Sequence, residues 1–328
     1  GDQYLRVFST VSQHILPEKF AVATAAEVDK AVAKAVAAFP LYKDVSPSSR
    51  AAFLETIAEE IMSLGDELIQ RAMQETGLPE ARLLGERGRT TGQLKLFAEV
   101  LKEGSWVEAV IDTALPDRKP LPRADIRKMN VPIGPVVVFG ASNFPFAFST
   151  AGGDTASALA AGNPVIVKAH ESHLGTNELM ASAINVAAKK CNLPDGVFSF
   201  VIGEGPVTGM QLVKHPGVKA IGFTGSYAAG TAIFKAANNE RQSPIPVYAE
   251  MSSINPVLLL TEKLSRDGDA VAAALAGSVT LGVGQFCTNP GLLFLIESDA
   301  AENFISKLSS LLAAVPAGTM LNEAVCRN

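Results

Sequence analysis

One cysteine of this sequence stands in a short polar loop, in the segment GQFCTNPG at residues 284–291. A cysteine with a purely structural role usually lies inside an apolar element, whereas Cys287 has amide and hydroxyl neighbours and is bounded by glycine and proline. A thiol in such a loop is a candidate nucleophile. A nucleophile also requires an oxyanion donor and a base, which other parts of the sequence must provide.

Two polar side chains follow or end apolar runs that are typical of strands. Asn143, in FGASNFPF, has an amide that can donate to a developing oxyanion, although an asparagine is also a common turn residue before a proline such as Pro145. Glu250 ends the run VYAEM and can serve as a general base, or it has simply reached solvent.

A glycine-containing segment, FTGSYAAG at residues 223–230, has the pattern of a phosphate-binding turn. Gly225 and Ser226 separate a strand from a helix, and Gly230 follows five residues after Gly225. Backbone N–H groups at a helix start suit a pyrophosphate. The spacing is not G-x-G-x-x-G, so a glycine required only by the turn remains an alternative.

A lysine and a carboxylate end another apolar run, VIVKAHE at residues 165–171. Lys168 and Glu171 at the carboxyl end of a strand could bind ribose hydroxyls, and a solvated ion pair is the alternative. His170 and His173 lie three residues apart, but neither a cysteine nor a third histidine is near them in the sequence. A metal site is therefore not expected.

The elements that position these residues follow from hydrophobic periodicity. Residues 24–38, 47–76 and 79–104 have helical periodicity, and the segments WVEAVID and IRKMNVPIG near residues 106–133 have strand character. From residue 134, apolar strands alternate with helices: GPVVVFG, NPVIVKA, FSFVIG, VKAIGFTG and IPVYAEM are the strands. This alternation predicts an α/β fold with a doubly wound parallel sheet, which binds ligands at the carboxyl ends of its strands.

Composition limits the class of protein. The chain has 328 residues, 48% of them hydrophobic and 19% charged, which predicts a globular protein of about two domains. The net charge of −5 comes without a basic block, so nucleic acid is not an expected partner. No apolar run reaches the length of a membrane span, and the start has no signal-peptide pattern, so we expect a cytoplasmic protein without a membrane partner.

In this order, the motifs SNFP, VKAHE, GEGPVTG, FTGSYAAG, AEMSSINP and GQFCTNPG resemble the aldehyde dehydrogenase superfamily from about residue 24 onward. Within it, FGASNFPFAFST and GQFCTNPGL are most similar to the branch of α-ketoglutaric semialdehyde dehydrogenases and bacterial fatty-aldehyde dehydrogenases. The resemblance implies a Rossmann-type cofactor domain at residues 1–251, with an oligomerisation hairpin at about 106–133. It also implies the first part of an α/β catalytic domain at 252–328.

The resemblance also implies a reaction. Cys287 would attack the aldehyde carbon to form a thiohemiacetal, with Asn143 and the backbone N–H of Cys287 holding the oxyanion. Hydride transfer to a nicotinamide would leave a thioester, and Glu250 would activate the water that releases the acid. The predicted reaction is oxidation of α-ketoglutaric semialdehyde to 2-oxoglutarate. The alternatives are a broad aliphatic or fatty-aldehyde dehydrogenase, and a truncated, inactive cofactor-binding fragment.

The cofactor implied is NAD or NADP. Its expected contacts are Lys168, which we also place among the catalytic residues, and Glu171, Pro206, Phe223, Gly225, Ser226 and Gly230. Glu171 would bind ribose hydroxyls and repel a 2′-phosphate, which favours NAD. The neighbouring His170, Ser172 and His173 could still accommodate that phosphate.

By the same resemblance, the substrate tunnel is expected to contain Arg89, Phe144, Phe148, Phe286 and Thr288. Arg89 could pair with the carboxylate of a semialdehyde acid, or it is an ordinary solvated helix arginine. The hairpin implies a homo-oligomer, either a dimer or a tetramer.

The chain departs from the family pattern at three places. Ser252 and Ser253 follow Met251 where the family usually has two glycines, which predicts a less flexible segment beside the base. Ser142 replaces the usual aromatic residue before the oxyanion asparagine. A Glu-x-Phe cofactor contact and a C-terminal oligomerisation strand are missing, so we expect the chain to be C-terminally incomplete.

Overall fold

A computed structural model describes residues 2–327 of the chain. Its N-terminal part has four short strands, β1 (Tyr4–Leu5), β2 (Phe8–Ser9), β3 (His14–Ile15) and β4 (Phe20–Ala21), paired as β1–β4 and β2–β3. Four helices follow: α1 (Ala25–Tyr42), α2 (Pro47–Ser63), α3 (Gly65–Thr76) and α4 (Glu80–Glu103). The helices in this region agree with the prediction, whereas the four short strands were not predicted.

Local signals fix where the first helices begin. The Thr24 hydroxyl accepts from the Glu27 N–H, and the Glu27 carboxylate accepts from the Thr24 N–H at 2.8 Å, which is a capping box. The predicted end of α1 was too early, because the helix continues through Pro40 to Tyr42. The Tyr42 ring is fully buried and its hydroxyl donates to the Leu159 carbonyl at 2.9 Å, so tertiary packing outweighs the proline.

A two-stranded arm leaves the helical block. Strand β5 (Val110–Asp112) pairs antiparallel with β6 (Ile126–Lys128), and both strands are exposed. The predicted strand WVEAVID was wrong in its first half, where Ser105–Val107 forms a single 3-10 turn. Glu108 follows with a φ of 47°, and this left-handed residue stops the extended backbone from beginning earlier.

The central sheet is parallel and has five strands, β7 (Val136–Phe139), β8 (Val165–Lys168), β9 (Phe198–Val201), β10 (Ala220–Gly225) and β11 (Val247–Met251). Helices α5 (Gly153–Ala160), α6 (Leu174–Lys190), α7 (Met210–Lys214) and α8 (Tyr227–Asn239) connect them. The order is β11–β10–β7–β8–β9, so the chain reverses direction across the sheet between β7 and β10. This is the doubly wound fold that the alternation predicted, with a ligand crevice expected at that switch point.

Packing on both faces explains the uninterrupted apolar strands. Every residue of β7 and β8 is buried. Val136 and Val138 belong to the core beneath α2 and α6, whereas Val137 belongs to the core beneath α1 and α8. Alternate residues of a strand point to opposite faces, so a strand covered on both faces has no polar positions.

A second, smaller α/β unit follows the sheet. Strand β12 (Pro256–Leu259) pairs parallel with β13 (Leu292–Leu295), and helices α9 (Thr261–Thr280) and α10 (Asp299–Ala313) pack on them around Phe304. The Cys287 loop connects α9 to β13. A short helix, α11 (Glu323–Arg327), ends the described chain, where the sequence indicated no element.

Candidate active site

A cleft of about 2020 Å³ opens where the carboxyl ends of β7, β10 and β11 face the cysteine loop. The predicted catalytic and substrate residues that line it are Asn143, Phe144, Phe148, Glu250, Phe286 and Cys287. Three further predicted residues, Lys168, Arg89 and Thr288, are not part of its lining. Side chains separated by up to 144 positions in the sequence therefore meet in one crevice at the switch point of the sheet.

Two asparagines hold the loop of Cys287, a partly buried free thiol. The Asn255 amide donates to the carbonyls of Cys287, at 2.6 Å, and Asn289, at 2.9 Å. The Asn289 amide donates to the carbonyls of Val279, at 2.8 Å, and Gly284, at 3.0 Å. Neither asparagine was predicted from the sequence, although each precedes a proline in a turn-like segment.

Asn143 lies directly against this loop. Its Nδ2 donates to the Gln285 carbonyl at 2.8 Å, two residues before the thiol. A side-chain amide carries two N–H groups, so this contact fixes the direction of the amide and leaves a second donor. The arrangement suits an oxyanion donor beside a nucleophile.

An aromatic wall adjoins the thiol. The rings of Phe144 and Phe286 have centroids 5.0 Å apart, and those of Phe144 and Phe148 are 5.2 Å apart. The exposed Arg89 lies outside the lining, with its guanidinium 5.0 Å from the Phe148 ring and 5.6 Å from the Phe144 ring. Arg89 therefore contacts the wall of the cleft without lining it.

Glu250 is on the edge strand β11, where its exposed side chain lines the cleft. The serines after it have distinct roles. Ser252 has a φ of 37°, which glycine adopts freely and serine adopts at a cost. Ser253 donates from its hydroxyl to the Cys287 carbonyl, so the segment after Glu250 is tied to the loop of Cys287.

Glu171, a predicted cofactor contact, lines the cleft and is held in place by two donors. Its Oε1 accepts from Lys168 Nζ at 2.7 Å and from the Gly205 N–H at 3.0 Å. Lys168 is only 6% exposed and lies behind Glu171, so it fixes the carboxylate from within. Pro206 follows in the π-helical turn Gly205–Gly209 and does not line the cleft.

The start of α8, where an anion-binding turn was predicted, lies at the cleft. Gly225 and Ser226 line the cleft, as does Phe223, and the Ser226 hydroxyl caps the helix by accepting from the Ala229 N–H at 3.3 Å. A Cβ at Gly225 would come within 2.7 Å of the Phe223 ring. The first turn of a helix carries N–H groups without partners inside the helix, so a helix start that lines the cleft suits the phosphates of a dinucleotide.

Gly230 was expected to contact the cofactor, but it lies elsewhere. It is buried within α8 and does not line the cleft. A Cβ there would collide with the Met251 side chain of β11. The glycine therefore allows the helix to approach the sheet closely.

Asp154 also lines the cleft and was not among the predicted site residues. It lies in the first turn of α5, behind Gly222, where a Cβ would come within 3.1 Å of the carboxylate. Burial raises the pKa of this carboxyl. In the sequence, the position of Asp154 in the first helical turn after the β7 strand could have indicated that it lies at the cleft.

The two histidines after β8 are stacked, with ring centroids 5.5 Å apart and an interplanar angle of 19°. Desolvation lowers the pKa of His170 well below its ordinary value of 6.5, and the charges of His173 and Lys168 add to the effect. His170 is therefore neutral at pH 7. Among residues 2–327 no group of three or more His, Cys, Asp or Glu side chains is placed to hold a metal ion.

The lowered pKa of His170 predicts a pH dependence of stability. Between the folded value and the unfolded value of about 6.5, the unfolded chain binds more protons, so this stability is present above pH 6.5 and falls below it. We expect thermal unfolding between pH 6.5 and 5 to show a shallower decline of Tm in His170→Gln than in the native protein. His14→Gln, on the exposed β3, is the control, and equal slopes in all three proteins would contradict the assignment.

Similarity to known proteins agrees with this geometry. The family model described as "Aldehyde dehydrogenase family" matches residues 2–326. The chain is 57% identical over 306 residues to α-ketoglutaric semialdehyde dehydrogenase 2 of Azospirillum brasilense, covering 93% of this chain and 58% of the relative. It is 49% identical over 309 residues to an α-ketoglutaric semialdehyde dehydrogenase of Acinetobacter baylyi, covering 94% and 58%. The chain thus spans 58% of the length of both curated relatives.

Solved structures share the fold at lower identity. Aldehyde dehydrogenase C of Pseudomonas syringae superposes with a TM-score of 0.84 at 22% identity, covering 99% of this chain and 64% of that one. The 1-pyrroline-5-carboxylate dehydrogenase of Thermus superposes with a TM-score of 0.83 at 21% identity, covering 99% and 62%. In no helix of residues 2–327 is there an apolar stretch long enough to cross a membrane. By its sequence and its fold, this chain belongs to the aldehyde dehydrogenase family.

Proposed function

We propose that the protein oxidises α-ketoglutaric semialdehyde to 2-oxoglutarate, with NAD(P) as the hydride acceptor. The observation that carries the proposal is the meeting of Cys287, Asn143 and Glu250 in one cleft, beside a helix start suited to phosphates. The choice of substrate rests on the two relatives of that name, at 57% and 49% identity.

The residues of the cleft can carry out the reaction in two stages. The Cys287 thiolate attacks the aldehyde carbon, a C–S bond forms, and the carbonyl electrons move onto oxygen, where the Asn143 amide donates a hydrogen bond. A nicotinamide dinucleotide, when bound, supplies the acceptor for the hydride that leaves this carbon. Glu250 then takes a proton from water as its oxygen attacks the resulting thioester, and the C–S bond breaks to release the acid and the thiolate.

NAD is the proposed cofactor in preference to NADP. The Glu171 carboxylate is fixed at the cleft by Lys168 and the Gly205 N–H, where it suits ribose hydroxyls and repels a 2′-phosphate. His170 is neutral because of its lowered pKa, so it offers no positive charge to that phosphate. Lys168 is already engaged with Glu171.

A broad aliphatic aldehyde dehydrogenase is the second candidate. The rings of Phe144, Phe148 and Phe286 give the cleft an apolar wall next to the thiol, which favours an uncharged chain. The two candidates differ in whether a positive charge on the protein recognises the far end of the substrate.

A substrate panel on the intact protein tests the proposal. α-Ketoglutaric semialdehyde is compared with pentanal and octanal, each with NAD and with NADP, and NADH or NADPH formation is followed. We expect the keto acid with NAD to have the highest kcat/KM. A higher kcat/KM for octanal would favour the second candidate, and no turnover with any aldehyde would reject both.

The Arg89→Met variant tests the recognition of charge. Arg89 is exposed and contacts the Phe144 and Phe148 rings from outside the lining of the cleft, so its guanidinium would have to turn into the cleft to pair with a substrate carboxylate. We expect KM for the semialdehyde acid to rise about 10- to 100-fold, with KM for pentanal unchanged, because a charge-assisted hydrogen bond contributes roughly 1.5–3 kcal/mol. An equal change in both KM values would show that Arg89 does not recognise the carboxylate.

The proposal includes a domain boundary, an oligomerisation arm and a cellular location. The first domain would end at residue 251, the last residue of β11, and the second would begin at 252. The exposed β5–β6 arm would serve oligomerisation, and three free cysteines suit a reducing cytoplasm.

A further inference from the structure

Helix α4 carries an ion pair directly behind the aromatic wall. Arg82 Nη1 donates to Glu86 Oε2 at 2.6 Å, one helical turn apart. The Glu86 side chain is completely buried, and that of Arg82 is 19% exposed. Neither residue lines the cleft. A buried carboxylate is costly unless its oxygens are fully engaged, so its other contacts indicate what the pair does.

Glu86 holds the loop that carries Asn143. Its Oε1 accepts from the backbone N–H groups of Phe146 and Ala147, both at 2.9 Å. These residues follow Asn143 by three and four positions. One carboxylate on α4 therefore fixes the backbone of the oxyanion loop and the position of Arg82.

Arg82 holds the rings next to both reacting positions. Its guanidinium carbon lies 4.6 Å from the centroid of the Phe144 ring and 4.9 Å from that of Phe286. Phe144 is the residue after Asn143, and Phe286 is the residue before Cys287. A guanidinium over aromatic rings is attracted by their π-electrons, and more strongly where water is excluded. Arg82 Nη2 is buried without a hydrogen-bond partner, so the rings and Glu86 are its surroundings.

We propose that Arg82 and Glu86 are positioning residues that align the oxyanion loop with the nucleophile loop. The inference rests on the proposed function for its chemical meaning. Asn143 must meet the oxygen of a substrate that Cys287 attacks, so a shift between their loops weakens the oxyanion contact. A displacement of about 1 Å can lower a rate about 100-fold. The pair touches neither substrate nor cofactor, so its loss affects kcat more than KM.

The chain contains a matched control. Arg71 and Glu75 on α3 form the same ion pair at 2.9 Å, with a completely buried glutamate that accepts from the backbone N–H groups of Gly175 and Thr176. The Arg71 guanidinium lies 5.8 Å from the Phe20 ring. Arg71 also pairs with Glu18 at 2.8 Å, so its loss removes one ion pair more than the loss of Arg82 does, without touching the loops of Asn143 and Cys287.

The test compares Arg82→Met with Arg71→Met in the intact protein. Both variants should lower Tm, but only Arg82→Met should lower kcat, by about 10- to 100-fold, with KM and NAD binding within about three-fold of native. A kcat for Arg82→Met within about two-fold of the Arg71→Met value would overturn the inference. Arg82→Lys keeps a charge for Glu86 but not the planar group over both rings, so it should lower kcat even if Arg82→Met does not fold.

A labelling measurement separates this inference from the proposed function. The rate at which iodoacetamide alkylates Cys287 requires neither substrate nor cofactor. We expect it to rise several-fold in Arg82→Met, because the released Phe286 side chain no longer restrains the loop, and to stay native in Arg71→Met. A native labelling rate in Arg82→Met overturns the inference whatever the turnover. Absence of aldehyde oxidation in the native protein rejects only the proposed function.

Discussion

Replacement of Cys287 by alanine is expected to abolish acid formation and to lower kcat at least about a thousand-fold, because no other group can form the covalent bond to the aldehyde carbon. NADH formation is measured in the first turnover and in the steady state, and both should disappear. The Cys191→Ala variant is the control. Cys191 is also a partly buried free thiol, but its Sγ lies 3.6 Å from the Thr56 hydroxyl and does not line the cleft.

Binding separates the loss of the nucleophile from the loss of the fold. Cys287→Ala should still be stabilised by NAD in thermal unfolding, because the α8 turn and Glu171 are unchanged and a ligand that binds the native state raises Tm. Native turnover in Cys287→Ala, or inactivation by Cys191→Ala alone, would assign the nucleophile to another residue.

Replacement of Glu250 by glutamine should have the second-largest effect. The amide cannot take a proton from water, so thioester hydrolysis slows about 100- to 10,000-fold while the first stage continues. We expect one equivalent of NADH in a rapid burst, followed by a very slow steady state. The stalled thioester on Cys287 should be detectable by mass spectrometry of the intact protein.

The control for this result is Glu297→Gln. Glu297 is an exposed carboxylate after β13 that does not line the cleft, so the variant should turn over at the native rate without a distinct burst. A Glu250→Gln protein that loses the burst and the steady state together would place Glu250 in the first stage of the reaction.

The sequence predicted the architecture because its signals are local. Alternating apolar strands and helices after residue 134 predicted the doubly wound sheet, and the buried β7 and β8 explain why the pattern is so clear. The parallel order then places the carboxyl ends of β7, β10 and β11 at one edge. Asn143, Gly225 and Glu250 line one cleft at that edge, which is the location that their positions after apolar strands predicted.

The sequence could not predict the roles of residues that depend on which side of a helix or strand they face. Lys168 ends β8 but is buried behind Glu171, and Gly230 follows the phosphate turn but packs against β11. A motif gives the residue type at such positions, whereas the neighbouring helix or strand decides whether the side chain faces ligand or protein.

By itself, the sequence determined the class of fold, and it predicted Cys287 as the nucleophile and the edge of the sheet where Asn143 and Glu250 lie. Only the tertiary structure showed what Glu86 contacts, because its carboxylate accepts from N–H groups 60 and 61 positions away. The same holds for Arg82, which contacts one ring beside Asn143 and one beside Cys287. Helical periodicity reports which face of α4 is apolar, but a buried charge breaks that pattern. Its partners are set by how α4 packs against loops that are distant in the chain.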